Sequence, residues 1–188
     1  MNETNFDMVQ KLPGELHTFK STDKVDDDDQ RLEYPVEFLN LLNPSGISEH
    51  ELHLQKGAPV VQLRNFDIKA GHCNGTRYII KEIYRHGLEL EKLDPNGDED
   101  DILQLPRIPM IYNPDNMPMS MTRLQFPIKL AFAVTFQRSQ GQSVEHCGIL
   151  LPKDIWTHGQ IYVAFSRCGN PRNIYVWAEQ EKEPLFRS

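Results

Sequence analysis

Residues 137–170 read QRSQGQSVEHCGILLPKDIWTHGQIYVAFSRCGN. A polar, glycine-bearing stretch, Gln137–Ser143, leads into an apolar run, Cys147–Leu151, and then into a mixed segment ending in Ser166 and Arg167. A loop so rich in Gln and Ser builds no core. Just upstream, the apolar segment KLAFAVTF (129–136) delivers its end to this loop, and in α/β layers ligands gather at the carboxyl ends of strands. Gly141 lets the backbone come close to a ligand, and exposed N–H groups beside the amides of Gln140 and Gln142 suit phosphate oxygens. Thr135, Gln137 and Ser139 can donate to a sugar-phosphate backbone. CGILL (147–151) reads as a buried strand and NIYVW (173–177) as a final one. Between them THGQIYVAFSR (157–167) has helical spacing, with Thr157 as N-cap and Ile161, Ala164 and Phe165 on one side. Arg167 closes that helix, and its planar fork suits charge growing on a transferred phosphoryl group. Taken singly, these features equally describe a polar turn and a surface arginine in a local ion pair. Ordered along one α/β segment, they point to a phosphate site.

Further toward the N-terminus the pattern changes twice. Phe6, Val9 and Leu12 recur at helical spacing and are stopped by Pro13-Gly14. ELHTFKS (15–21) reads as a short strand, and residues 23–30 as a solvated acidic loop. A second helix starts at Pro35, shows Phe38, Leu39 and Leu42 on one face, and ends at Asn43-Pro44-Ser45-Gly46. From Glu51 to Tyr112 the apolar period is two: ELHLQKGAPVVQLRN, GTRYIIKEIYR, LELEKL and ILQLPRIPMIY, separated by turn residues. Several short strands over so short a span predict a small antiparallel barrel, with Pro106 and Pro109 at an edge or bulge. NPDNMPMS (113–120) reads as a linker back to the α/β layer.

Charge and composition narrow the partners. With 39% hydrophobic and 25% charged residues the chain has the make-up of a soluble globular protein. No apolar run is long enough to span a bilayer, and the polar, acidic opening does not resemble a leader, so no membrane partner is expected. The formal charge of −7 disfavours a polyanion, but the acids cluster at 23–33, 96–101 and 178–183. Between Met121 and Ala178 six basic residues (Arg123, Lys129, Arg138, Lys153, Arg167 and Arg172) face two acids, Glu145 and Asp154, a local +4 that suits nucleic acid. Three cysteines without a CxxC pair fit a reducing compartment. His50-Glu51-Leu52-His53 is one residue short of the HExxH spacing, and His72-Cys73 and His146-Cys147 lack ligand spacing, so no metal is expected.

Two long stretches carry a family resemblance. FPIKLAFAVTFQRSQGQSVEHCGILLP (126–152) and THGQIYVAFSRC (157–168) resemble the last two helicase motifs of superfamily-one DNA helicases, closest to the petite-integration-frequency (Pif-type) group and to Helitron transposon helicases. YPVEFLNLLNPSGISEHELHLQKGAPVVQLRNFDIKAGHCNGTRYII (34–80) resembles the same group's Src-homology-type barrel insertion. The resemblance runs from Asn2 to about Trp177. It implies an α/β fold: a second RecA-like domain of the P-loop NTPase type, interrupted by a small Src-homology-type antiparallel β-barrel. On that basis 1–50 and 113–178 are the two parts of the RecA-like domain, 51–112 is the barrel, and 179–188 an acidic tail. It implies that Gln140, Gly141 and Gln142 face the nucleotide, and that Thr135, Gln137, Arg138 and Ser139 lie toward single-stranded DNA. Asn74, Gly75 and Thr76 of the barrel would lie near the DNA path, and Arg167 would be the arginine finger. Gln160 and Tyr162 would shape its helix. Gln137, Arg138 and Ser143 stand where relatives often carry His or Asn, Lys, and Thr, with polarity kept.

The sequence contains no GxxxxGK[ST] loop and no apolar strand ending in Asp-Glu. In the resembling family both belong to a first RecA-like domain. The expectation is therefore the C-terminal part of an ATP-dependent 5′–3′ DNA helicase, with ATP and Mg²⁺ bound productively only in the presence of that N-terminal domain. The alternatives are a stand-alone single-stranded DNA-binding module and a degenerate transposon remnant. A monomer is expected, in the nucleus or, as second choice, the mitochondrion.

Overall fold

A computed structural model describes residues 2–25, 34–93, 101–113, 119–133, 145–151 and 159–178. Apolar side chains at every second position make strands, because alternate residues share a face of the pleat. The helical spacing around Phe6 gives α1 (Asn2–Val9), which is followed by β1 (His17–Lys20) and β2 (Thr22–Val25). Then come α2 (Val36–Leu41), β3 (Glu51–Leu54), β4 (Pro59–Gln62), β5 (Arg77–Ile83) and β6 (Gly87–Lys92). β7 (Ile102–Pro106), β8 (Ile108–Tyr112), β9 (Met121–Gln125) and β10 (Ile128–Leu130) complete a first unit, residues 1–133.

Within this unit β10-β4-β5-β6-β7 form a five-stranded antiparallel sheet, β2-β9-β8 a three-stranded one, and β1 pairs with β3. The strands expected over 51–112 are present, but the ladders divide them differently. β8 leaves for the three-stranded sheet, and β10, from beyond the expected linker, pairs with β4. In the five-stranded sheet β10 and β7 are the two outer strands. Pro106 lies in the edge strand β7 and Pro109 in the edge strand β8, the kind of strand to which proline is ordinarily confined. The first residues of the expected acidic loop are a strand instead. Thr22–Val25 form β2, which pairs with β9, and the acids at 26–29 lie outside the described residues.

The main core gathers inward residues of the five-stranded sheet, among them Val60, Ile80, Leu88, Leu90, Leu105 and Ile128, with Leu54 of β3 and Phe126 from the chain leading into β10. Val9 of α1 joins it, and the Asn5 side chain ties the helix on by donating to Leu130 O (3.3 Å) and accepting from Ala133 N (2.8 Å). Phe19 meets Phe126 edge to face at 5.2 Å between ring centroids, and the Arg107 guanidinium lies 5.5 and 5.3 Å from the two rings.

A second cluster surrounds Val25, Leu39, Met119 and Met121, and an ion pair is buried beside it. Asp23 and Arg123 are direct cross-strand partners of β2 and β9. Arg123 is 0% exposed. Its Nε donates to both oxygens of Asp23 (2.9 and 3.0 Å) and its Nη2 to Asp23 Oδ2 (2.5 Å). The other donors reach backbone carbonyls: Nη2 to Leu39 (2.8 Å), Nη1 to Leu42 and Ser48 (3.0 Å each). Ser21 Oγ donates to Asp23 Oδ1 at 2.6 Å. Arg123 therefore does not belong to the basic face that the charge count suggested. It serves as a charged cap for the C-terminal carbonyls of α2.

Residues 145–178 belong to the second unit. There β11 (Cys147–Leu151) runs parallel to β12 (Ile174–Ala178), with Cys147 opposite Ile174 and Leu151 opposite Ala178. The connection carries α3 (Gln160–Phe165), as a parallel crossover requires. Thr157, the expected cap, lies outside the described residues. Gly159 precedes the helix with φ 95°, a left-handed conformation that glycine adopts freely. β11 is less buried than its apolar run suggests, with Cys147 and Ile149 half-buried and Gly148 exposed. The Cys168 thiol is buried and lies 3.2 Å from Glu145 O, and Asn173 Nδ2 donates to the same carbonyl at 2.9 Å. These contacts tie the turn after α3 to the start of β11.

One ionisable group in the main core makes its stability depend on pH. Tyr78 is 0% exposed, and burial pushes its phenol up to about 12 from an ordinary value near 10. The fold thus binds the phenolic proton more tightly than the unfolded chain does. This contribution is complete below about pH 10 and is lost as pH rises toward 12. Urea denaturation between pH 9 and 12 is expected to show that decline in wild type and a flatter curve in Tyr78→Phe. An equally steep curve in the variant would remove Tyr78 as the source. Breaking the buried pair is expected to cost more. Asp23→Ala should lower stability by about 3–5 kcal/mol, since it strands a buried guanidinium. Arg123→Met should cost at least as much, because three carbonyls lose their donor with the charge. A shift in the denaturation midpoint worth under about 1 kcal/mol for either variant would contradict this structural role.

Candidate nucleic-acid interface

The barrel residues singled out by sequence lie in the loop that joins β4 to β5. Its base is a two-way exchange, Gln62 N to Thr76 O (2.9 Å) and Gly75 N to Gln62 O (2.8 Å). Gly75, at φ 92°, makes the reversal that brings its N–H back to Gln62. Further out the loop folds into its own hairpin: Asp67 bridges His72, with His72 N donating to Asp67 O at 2.7 Å and Phe66 N to His72 O at 2.9 Å. Asp67 Oδ1 accepts from Lys69 N (2.9 Å) and Ala70 N (3.2 Å), which caps the turn.

Asn74 and Gly75 are exposed, and Asn74 N donates to Asn65 Oδ1 at 2.8 Å. Their outward position leaves the Asn74 amide available to a ligand. Thr76 is half-buried and its hydroxyl is committed to the loop: it donates to Gly71 O (3.2 Å) and accepts from Cys73 N (3.3 Å). Of the three barrel positions, Thr76 shapes the site and Asn74 is the one that presents a side chain.

A polar floor beneath the loop escaped the sequence analysis. Gln62 is 0% exposed, and its Nε2 donates to Arg64 O (2.7 Å) and His72 O (3.4 Å). His72 is buried and its Nδ1 shares a 2.9 Å hydrogen bond with the Tyr78 hydroxyl. Lys92, whose side chain is 12% exposed, donates to Ala70 O at 2.9 Å and lies 3.5 Å from Asp101. The signal for Gln62 was present in the strand period: it shares the face of Val60 in β4 and so inherits a buried position.

In the second unit Arg167 follows α3 directly and is half-buried. Its Nε donates to Val163 O at 3.0 Å and its Nη2 to Ser166 Oγ at 2.8 Å, while Ser166 Oγ donates to Val163 O at 2.9 Å. The guanidinium is thus held against the negative end of the helix. Tyr162 is 78% exposed, and Phe165, read from the sequence as sharing one side of the helix with Ile161 and Ala164, is 38% exposed. The remaining predicted positions, Thr135, Gln137, Arg138, Ser139, Gln140, Gly141 and Gln142, lie outside the described residues.

Residues 37–83, from α2 through β5, match the family profile of the DNA helicase Pif1 2B domain. Over 179 residues the chain is 29% identical to the ATP-dependent DNA helicase PIF1 of Xenopus laevis, covering 92% of this chain and 25% of that protein. It is also 29% identical over 196 residues to the ATP-dependent DNA helicase Pif1 of Campylobacter jejuni, covering 96% and 40%. The chain thus spans less than half the length of either relative. Its fold is similar to that of Bacteroides Pif1 helicase in complex with ADP-AlF3 and ssDNA, with a TM-score of 0.66 at 23% identity over 93% of this chain and 37% of that one. The strand-rich α/β arrangement, the 2B match and the two relatives agree: the chain is similar to the C-terminal region of Pif1-type helicases.

Proposed function

We propose that this chain supplies the single-strand contacts and the arginine finger of an ATP-dependent DNA helicase moving 5′ to 3′, and that it hydrolyses no ATP alone. The observation that carries this is the placement of Arg167. It follows the crossover helix of a parallel β-α-β unit, with its fork already ordered by Val163 O and Ser166 Oγ. Exchanging the carbonyl for a phosphate oxygen keeps the same donor. ATP, bound with Mg²⁺ on a domain that carries the phosphate loop, would supply the γ-phosphoryl group whose charge the guanidinium meets. This chain's part is to position that donor and to hold the strand, through the barrel loop at Asn74 and through the 135–142 segment. Relatives that are ATP-dependent DNA helicases support this assignment, as does the fold shared with a Pif1 helicase in complex with ADP-AlF3 and ssDNA.

Joined to a first RecA-like domain with its phosphate loop, the chain is expected to complete a DNA-stimulated ATPase. Arg167→Ala should then lower kcat by about 10³–10⁵, with DNA affinity little changed. Wild-type turnover in that variant would exclude the finger role. The pure chain should show no ATP turnover above the buffer blank, with or without single-stranded DNA. Hydrolysis by the pure chain would contradict the division of the site. Tight single-strand binding without any rescue of ATPase would instead favour a stand-alone binding module.

A further inference from the structure

The tip of the β4–β5 loop presents two apolar side chains to water. Phe66 is 45% exposed and Ile68 is 68% exposed. Turn positions of this kind ordinarily carry polar residues, and neither side chain contributes to a core where it stands.

The tip is also fixed. The Asp67–His72 bridge closes it, Thr76 Oγ1 holds Gly71 O, Lys92 Nζ holds Ala70 O, and Gln62 Nε2 holds His72 O from below. A rigid apolar tip loses little freedom when it meets a partner, so its contact surface converts efficiently into affinity.

Charge narrows the partner. Arg64 and Lys69 flank the pair and are exposed. Among the described residues, Asp67 on this loop caps the turn through two backbone N–H groups, and Asp101 faces Lys92. Asn74, also exposed, lies on the same loop. A π-face and an aliphatic branch between two cations match a flexible polyanion whose flat rings are uncovered, which is unpaired nucleic acid. A duplex hides those ring faces.

We propose that Phe66 and Ile68 form a platform on which an unpaired nucleobase stacks, with Arg64 and Lys69 taking the adjoining phosphates. The proposal rests on the single-strand binding assigned above and adds to it the residues that read base faces. An abasic strand keeps every phosphate and removes every ring, so it separates stacking from electrostatics.

The test uses the full chain and fluorescence anisotropy with an oligodeoxythymidine and an abasic strand of equal length. Wild type is expected to bind the base-bearing strand more tightly. Phe66→Ala should weaken binding to that strand about tenfold and leave the abasic strand unchanged, and Phe66→Trp should restore it. Ile68→Ala should follow Phe66→Ala with a smaller loss. Arg64→Ala and Lys69→Ala should weaken both strands alike and each lower the salt slope by about 1. Because both apolar side chains are exposed, circular dichroism of their variants should match wild type. An unchanged affinity in Phe66→Ala, or an equal loss on both strands, overturns the platform while leaving single-strand binding in place. Wild type binding neither strand overturns single-strand binding itself, and the platform with it. Weakened self-association in Phe66→Ala, with DNA affinity intact, would assign the tip to a second copy of the chain and also overturn the proposal.

Discussion

A single guanidinium sets the geometry of the first unit. Arg123 reaches one carboxylate and three backbone carbonyls from a position closed to water. The carboxylate fixes β2 beside β9, Leu39 and Leu42 fix the end of α2, and Ser48 fixes the path into β3. Each of these parts has its own reason to form, but their meeting point is electrostatic. A buried cation in a medium of low dielectric tolerates little displacement, because each lost donor contact exposes uncompensated charge. Hydrophobic packing around Val25, Leu39 and Met121 admits small slips, and the charge beside it does not. The pair contributes more to uniqueness of arrangement than to net stability, since its attraction is offset by the cost of drying both ions.

The same logic, at lower stakes, runs through the β4–β5 loop. Gln62 and His72 put polar atoms beneath a turn whose outer side is exposed. Lys92 and Asp101 do the same at its flank. The loop therefore behaves as part of the sheet and not as an appendage. Binding residues on loops gain precision when a stiff scaffold carries them, and here the stiffness comes from side chains below the tip. In the second unit Arg167 shows a related economy. Its fork is ordered by the helix that precedes it, so a ligand would meet an arranged donor set.

Strand periodicity was legible in the sequence because it depends only on which side chains are apolar. The alternation in β4, β5, β6 and β7 reads directly from residues 59–106, as do both prolines on edge strands. What periodicity could not show is which strands pair. β10 joins β4, and β2 joins β9 across about half of the chain's length; such partners are chosen by the assembled core and leave no local mark. Arg123 was misjudged for the same reason. A tally of charges treats each residue alone, whereas its neighbour Asp23 lies 100 positions away in the sequence. Likewise, the family resemblance singled out Asn74 and Arg167 as candidates, but the duty of Thr76 within the loop and the burial of His72 beneath it appear only once the backbone has closed around them.

The way Asn5 grips Ala133, 128 residues away, has a consequence for the order of assembly. β2 cannot reach its partner strand until β9 has been made, and α1 cannot complete its contacts until the chain has passed β10. Before then, the clusters around Val9 and Val25 lack the side chains that β10 and β9 bring, Ile128 and Met121. Contacts of such sequence separation must be reached by a search over a long, flexible intervening chain, and folds dominated by them form slowly. For a ribosome-bound chain this means a prolonged interval with bare strand edges and apolar side chains facing water, the condition under which chaperones are recruited.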